Sequence, residues 1–233
     1  MAVILHIETS GTTCSAALSA EGMILAHRED FGGRNHAALI SDYVKHCLDH
    51  AASHEMELQA VAVSIGPGSY TGLRIGLSEA KGLAYALGVP LIGVHTLELM
   101  ATTAMFEAAA DDPDTIFIPM VDARRMEVYT AAYDYSLNSI VEPQAMILEE
   151  DSFATERASG RPLVFFGSGA AKAQPLFAGD SAARYVEGIE PLATGMLALA
   201  EKAWANRQFI DIAYSTPVYL KDFQATQPKH KVL

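Results

Sequence analysis

Over the first thirty positions the apolar residues fall in three short blocks, 3–9, 13–19 and 23–29, separated by Ser10-Gly11 and Glu21-Gly22. Short apolar or alternating runs bounded by glycine turns predict three strands joined by tight connections. From His36 the spacing becomes helical, with Asn35 in the capping position and Ile40, Val44, Cys47, Leu48 and Ala51 on the core side. A strand at 61–65, a helix at 71–87, a strand at 91–94 and a helix at 97–110 follow. Asp111-Asp112-Pro113-Asp114 is a turn-rich break and divides a lobe of 1–110 from one of 111–233. Beyond it the order recurs: strands at 116–122, 127–135 and 145–148, a helix at 151–158, a strand at 163–166, a helix at 170–177, a strand at 184–186 and a helix at 194–206. A β-β-β-α-β-α-β-α unit is thus written twice. The last segment is expected to pack back on the first lobe.

The most distinctive stretch is Ser64-Ile-Gly-Pro-Gly-Ser-Tyr-Thr-Gly-Leu-Arg-Ile-Gly76, between a strand and a helix. Glycines at such a turn bring backbone N–H groups to an anion or let another backbone come close. The spelling G-x-G-x-x-x-G is neither the dinucleotide fingerprint nor a P-loop, because no Gly-Lys-Ser/Thr follows.

Half the residues are hydrophobic, yet no apolar run approaches the ~18–20 needed to span a bilayer. The opening Met1-Ala-Val-Ile-Leu-His6 lacks a basic leader region and meets Glu8 early, so the expected location is the cytoplasm. Cys14 and Cys47 make no disulfide framework. A net charge of -12 argues against this chain gripping a nucleic-acid backbone unaided.

The doubled unit has the plan of the two-lobed actin, hexokinase and sugar-kinase architecture, an α/β fold of the actin-like, ribonuclease H-like class. In that plan acid-bearing hairpins of both lobes face a nucleotide cleft, here Glu8 and Asp122. The first hairpin, with Thr9, Ser10 and Gly11, could cradle phosphate. The second, Asp122-Ala-Arg-Arg-Met126, has no glycine, so half of the clamp looks degraded. Gly167-Ser-Gly169 resembles an adenosine-contacting turn. Weak ATP or ADP binding is the most this vestigial cleft predicts, and no cofactor is expected.

Ile7-Glu-Thr9, Gly66-Pro-Gly-Ser-Tyr-Thr-Gly72, Arg74-Ile-Gly76, Val121-Asp-Ala-Arg124, Glu127-Val-Tyr129 and Pro217-Val-Tyr-Leu-Lys221 together resemble the TsaB family of bacterial tRNA threonylcarbamoyladenosine biosynthesis proteins. The resemblance covers nearly the whole chain. It implies a role in N6-threonylcarbamoyladenosine (t6A) formation next to the anticodon, as the non-catalytic partner of the paralogue TsaD, with TsaE as ATPase and tRNA engaged through the complex. The paralogue's His-x-x-x-His metal pair corresponds by motif to Thr96 and Met100, and its third, acidic ligand falls near Ala193-Thr-Gly195, where no acid stands. A hydroxyl and a thioether are poor ligands for a hard cation. No metal and no catalysis are therefore expected.

Other candidates are weaker. His46, His50 and His54 repeat at steps of four but supply no four-ligand structural site. Ser69 lacks the G-x-S-x-G elbow. A kinase or carbamoyl transferase would need an intact second phosphate hairpin, and a glycoprotease-like metalloprotein a ligand set. Helical wheels give a clearer signal. Gly72, Gly76, Ala80, Leu83, Ala84 and Leu87 form one face of the second helix, while Arg74, Ser78, Lys81 and Tyr85 form an outward ridge. Leu39, Tyr43, His46 and His50 form a similar ridge on the first helix. The two ridges predict a helical interface for the catalytic paralogue, and for a homodimer when the chain is alone. The basic end, 227–233, is expected to be a frayed tail.

Overall fold

The computed structural model describes residues 2–33, 35–107 and 112–221. Strands β1 (Ile4–Glu8), β2 (Cys14–Ala20) and β3 (Met23–Asp30) form an antiparallel meander, followed by helix α1 (His36–Ser53). Strand β4 (Ala60–Gly66), helix α2 (Tyr70–Leu87) and strand β5 (Leu91–His95) add parallel strands on the other side of β1, giving the sheet order β3-β2-β1-β4-β5. Helix α3 (Thr96–Glu107) leads to β6 (Ile116–Asp122), β7 (Glu127–Tyr133), β8 (Ser139–Ile147), α4 (Ala154–Ala158), β9 (Leu163–Phe166), α5 (Ala170–Ala173) and β10 (Ala183–Val186). The second sheet runs β8-β7-β6-β9-β10, which is the first order repeated. Two copies of this mixed, crossover-connected sheet define the actin-like class.

The repeat is unequal in its helices. Where the first half has two helices of 18 residues, its counterparts α4 and α5 have 5 and 4. The expected helix at 170–177 stops at Ala173, because Pro175 has no N–H to continue the ladder. Strand β8 begins earlier than predicted and runs through Pro143, tolerated because β8 is an edge strand. The expected helix at 194–206 divides into a 3₁₀ turn, Ala193–Met196, and helix α6, Leu197–Ala205. Asn35 precedes α1, but its side chain caps nothing.

Among the described residues, four apolar clusters hold the protein together. One face of the first sheet packs on α1 and α2 through Leu5, Ile7, Val61, Ile40, Val44 and Leu77. Its other face packs on the 3₁₀ turn and α6, with Ile4, Ala62 and Ile92 against Met196, Leu199 and Ala200. Helix α3, although it belongs to the first half, packs Leu97, Met100 and Ala104 on Phe117, Val164 and Phe166 of the second sheet. The remaining face of that sheet packs Phe165 among Phe153, Phe177 and Tyr185. Each sheet is therefore covered on one face by a helix encoded on the far side of the chain. Helix α3 is buried nearly all round, as a helix between two layers must be.

Candidate functional site

The glycine-rich turn joins β4 to α2, and its glycines are consumed by protein contacts. A Cβ on Gly68 would collide with Ser10 O, one on Gly72 with Thr9 O, and one on Gly76 with Thr9 Oγ1. The first hairpin lies directly on the turn. Ser69 N donates to Ser10 O at 2.7 Å, and Thr9 Oγ1 donates to Gly72 O at 2.7 Å. Of the two uses open to such a turn, close approach of another backbone is the one observed. Ser69, no nucleophile, caps α2 by accepting from Gly72 N at 3.2 Å. From the opposite side Val218 N donates to Ile65 O at 2.7 Å, and a Cβ on Gly66, whose φ is +109°, would stand 2.9 Å from Val218 O.

Of the residues assigned to a vestigial nucleotide cleft, those of the first hairpin are thereby enclosed, while Asp122 stays exposed. Glu8, Thr9 and Ser10 are buried, and Gly11 abuts Pro191. Glu8 Oε1 accepts from Ser10 N, while Glu8 Oε2, Ser10 Oγ and Ser64 Oγ have no hydrogen-bond partner among the described residues. Burial pushes the Glu8 carboxyl above the usual range, outweighing the nearby polar groups of Ser10, Ser64 and Thr9, which lower it although neither hydroxyl is within hydrogen-bond geometry. Two residues away on the same face, His6 Nε2 lies 2.7 Å from Ser19 Oγ, and burial lowers its imidazole to about 3. In the second half, Gly167 lies 2.6 Å from Met120 O by the same Cβ measure, with φ +94°. Gly169 is against Val128 and the Asp122 N–H. Asp122 accepts from Arg124 N at 2.6 Å and pairs with Lys172 at 2.9 Å. The glycines that would cradle a phosphate are filled by protein on both sides, so these residues do not fit a bound nucleotide in this arrangement.

Thr96 is buried at the start of α3, and Met100 is a core residue whose methyl group meets Gly167. Ala193 is buried, its N–H donating to Ser15 Oγ at 2.9 Å, and Gly195 packs on Thr103 and Leu99 of α3. Among the described residues no group of three or more histidine, cysteine or carboxylate side chains is disposed to hold a metal ion. His50 and His54 stack with ring centroids 4.3 Å apart, and His54 Nδ1 lies 2.9 Å from His50 O, which ties up one ring nitrogen.

The two predicted ridges prove to lie on different flanks. Arg74 and Ser78 border a shallow groove of about 600 Å³ shared with Ala37, Ile40, Ser41 and Glu79, where Ser41 Oγ donates to Glu79 Oε2 at 3.3 Å. Leu39, Tyr43, His46 and His50 are half-buried on the opposite side of α1, where Tyr43 lies near Asp30 and Arg28 of β3. The ridges therefore do not adjoin, because the outer surface of α1 separates them. Tyr85 is 82% exposed. Lys81 is engaged inside the protein: its Nζ donates to Ser215 O at 2.6 Å and Ala213 O at 3.2 Å. Leu87, assigned to the core face, is half exposed, and Leu73 and Leu77 take the buried positions.

A feature no periodicity signalled is the strap formed by residues 206–221. Ile210 bridges Leu91 at the edge of the first sheet, Lys81 holds 213 and 215, Val218 crosses the glycine turn, and Tyr219 packs on Tyr70 at 5.3 Å. Arg74 lies over the Tyr70 ring at 4.6 Å. Lys221 then reaches Glu127 of the second hairpin at 2.5 Å, tying the strap to the second sheet. The Pro-Val-Tyr-Leu-Lys motif is its only trace in the sequence. No helix is long and apolar enough to cross a membrane among the described residues.

The doubled sheet order, with the glycine turn packed on the first hairpin, defines an actin-like fold, and the threonylcarbamoyltransferase group is where a family model places it. The family model described as "TsaD: tRNA N6-adenosine threonylcarbamoyltransferase" matches residues 24–228. Within that group the chain belongs to the TsaB family. It is 33% identical over 224 residues to the tRNA threonylcarbamoyladenosine biosynthesis protein TsaB of Escherichia coli, covering 94% of each chain. It is 33% identical over 167 residues to TsaB of Bacillus subtilis, covering 70% of each. The solved structure of YeaZ from Pseudomonas aeruginosa superposes with a TM-score of 0.75 at 27% identity, over 94% of this chain and all of the other.

Proposed function

We propose that this chain is the non-catalytic subunit of t6A synthesis, which binds and activates a TsaD-like catalytic paralogue. The observation carrying this reading is what fills the positions of the paralogue's metal pair: Met100 is core and Thr96 is a buried hydroxyl. The glycine turns, spent on packing among the described residues, support the same reading. The chain acts through its surface, as two lobes, 1–110 and 111–233, in the cytoplasm.

The partner face centres on the α1–α2 groove bordered by Arg74 and Ser78, with Tyr85 further along α2. Tyr43, His46 and His50 extend the contact only if the partner reaches across α1. The same face serves a homodimer when the chain is alone, and a TsaE-like ATPase joins the pair. The test is co-purification with the catalytic paralogue and tRNA modification with and without this chain. Arg74→Glu should abolish both pairing and modification, since a central interfacial arginine carries about 2 kcal/mol or more. Threonylcarbamoyl transfer by this chain alone would defeat the non-catalytic reading, and wild-type pairing by Arg74→Glu would defeat the assigned face.

A further inference from the structure

We propose that Arg124 and Arg125, at the tip of the β6–β7 hairpin, form a phosphate-binding finger for RNA. The tip is a built structure. Ala123 N donates to Glu127 O and Glu127 N to Arg124 O, each at 3.1 Å, while Asp122 Oδ1 receives Arg124 N at 2.6 Å. Within this turn Arg124 and Arg125 take φ values of +73° and +50°. Two consecutive long side chains therefore occupy backbone that glycine or asparagine would adopt at lower cost. Conformational cost retained at an exposed position points to a use for the side chains themselves.

Their charge is also left uncompensated. The acids flanking the tip are already matched, Asp122 by Lys172 and Glu127 by Lys221. Both arginines are exposed, and among the described residues neither guanidinium makes a hydrogen bond or ion pair. A pair of free guanidinium forks on a hydrogen-bonded turn, in a chain of net charge -12, is chemistry suited to phosphate oxygens. The acidic remainder confines any polyanion to this spot.

The surroundings favour RNA over an acidic protein surface. Lys221, bonded to Glu127 of the hairpin, is two residues from Tyr219, whose ring is partly exposed. A partly exposed aromatic ring next to a basic side chain is a stacking surface for an unpaired base, which favours RNA over a carboxylate-bearing protein. The inference rests on the t6A reading above.

The test is binding of an unmodified tRNA transcript over a range of potassium chloride, by the full chain alone and mixed with its catalytic paralogue. Arg124→Ala with Arg125→Ala should weaken binding about tenfold or more and flatten the salt slope by roughly one to two units. The double lysine variant should keep most of the slope. Arg124→Gly with Arg125→Gly should lose RNA like the alanine pair while its unfolding midpoint rises. An unchanged slope in the alanine pair overturns the proposal, as does wild-type protein that binds no tRNA in either setting. Displacement of tRNA by polyglutamate as readily as by unlabelled RNA also overturns it, in favour of an acidic protein partner. Gel filtration of the mixture reports pairing separately, so failure of the subunit reading and of the RNA finger are told apart.

Discussion

The carbonyl oxygen of Thr9 occupies the space where a Cβ on Gly72 would stand, so the first hairpin and the N-terminus of α2 are fitted backbone to backbone. Gly72→Ala must push the hairpin away, and overpacking of this kind costs about 1–3 kcal/mol. Gly82, in the same helix, faces open space, and a Cβ there would meet nothing within 4 Å. Gly82→Ala should instead gain about 0.5–1 kcal/mol from helix propensity alone. Urea unfolding of the two variants should therefore shift in opposite directions.

Glu8 and His6 predict a stability profile with two slopes. The folded Glu8 pKa lies above its ordinary 4.5, so as pH rises past 4.5 the unfolded carboxyl loses its proton first. Stability is lost with rising pH, and Glu8→Gln should recover it increasingly above pH 4.5. The folded His6 pKa, about 3, lies below the ordinary 6.5, so stability is lost as pH falls from 6.5 toward 3. His6→Gln should remove that loss. Each slope is bounded by about 1.4 kcal/mol per pH unit. Urea midpoints from pH 4 upward, compared between wild type and each variant, check both signs.

Lys81→Met keeps the apolar stem and removes the two hydrogen bonds to the carbonyls of 213 and 215. The strap should loosen locally while the core stays folded, because Lys81 lies on the surface side of α2. Hydrogen exchange should rise in 211–218 and remain unchanged in β1 and β4. Lys81 is therefore unsuited to testing the partner face, since its replacement disturbs the strap as well.

Calorimetry with ATP and magnesium should give no dissociation constant below about 1 μM, roughly -8 kcal/mol. Ser10, Thr9 and Val218 already fill the glycine turn that a phosphate would need. A sub-micromolar constant would require the first hairpin and the strap to leave the turn.

Much of the fold could be read from the chain because the strands are short apolar runs between glycine or acidic turns. Strands 116–122 and 163–166 agree in both bounds with β6 and β9. Burial of Ile40, Val44, Cys47 and Ala51 follows the helical period of α1. A period, however, assigns a face and not a neighbour. Nothing in Tyr43 or His46 tells that their side of α1 borders β3, and nothing in Lys81 tells that its partners lie more than a hundred residues away. The glycine turn announced a close approach without naming what approaches. Residues 108–111, which hold the end of the expected helix at 97–110 and the first residue of the lobe break, and 222–233, which hold the basic tail, lie outside the described residues.

The exchange of α3 and α6 between the sheets has a consequence for how the chain can be cut. A fragment ending at residue 107 carries α3 without the second sheet it covers, exposing Leu97, Met100 and Ala104. The same fragment lacks Met196, Leu199 and Ala200, which shield Ile4, Ala62 and Ile92. Each half alone would present a bare apolar layer and aggregate. Co-expressed as separate polypeptides, the halves hold complementary pieces of each other's core and should reassemble by fragment complementation. Gene duplication can supply two such sheets, but after the helices have traded places neither copy can be lost.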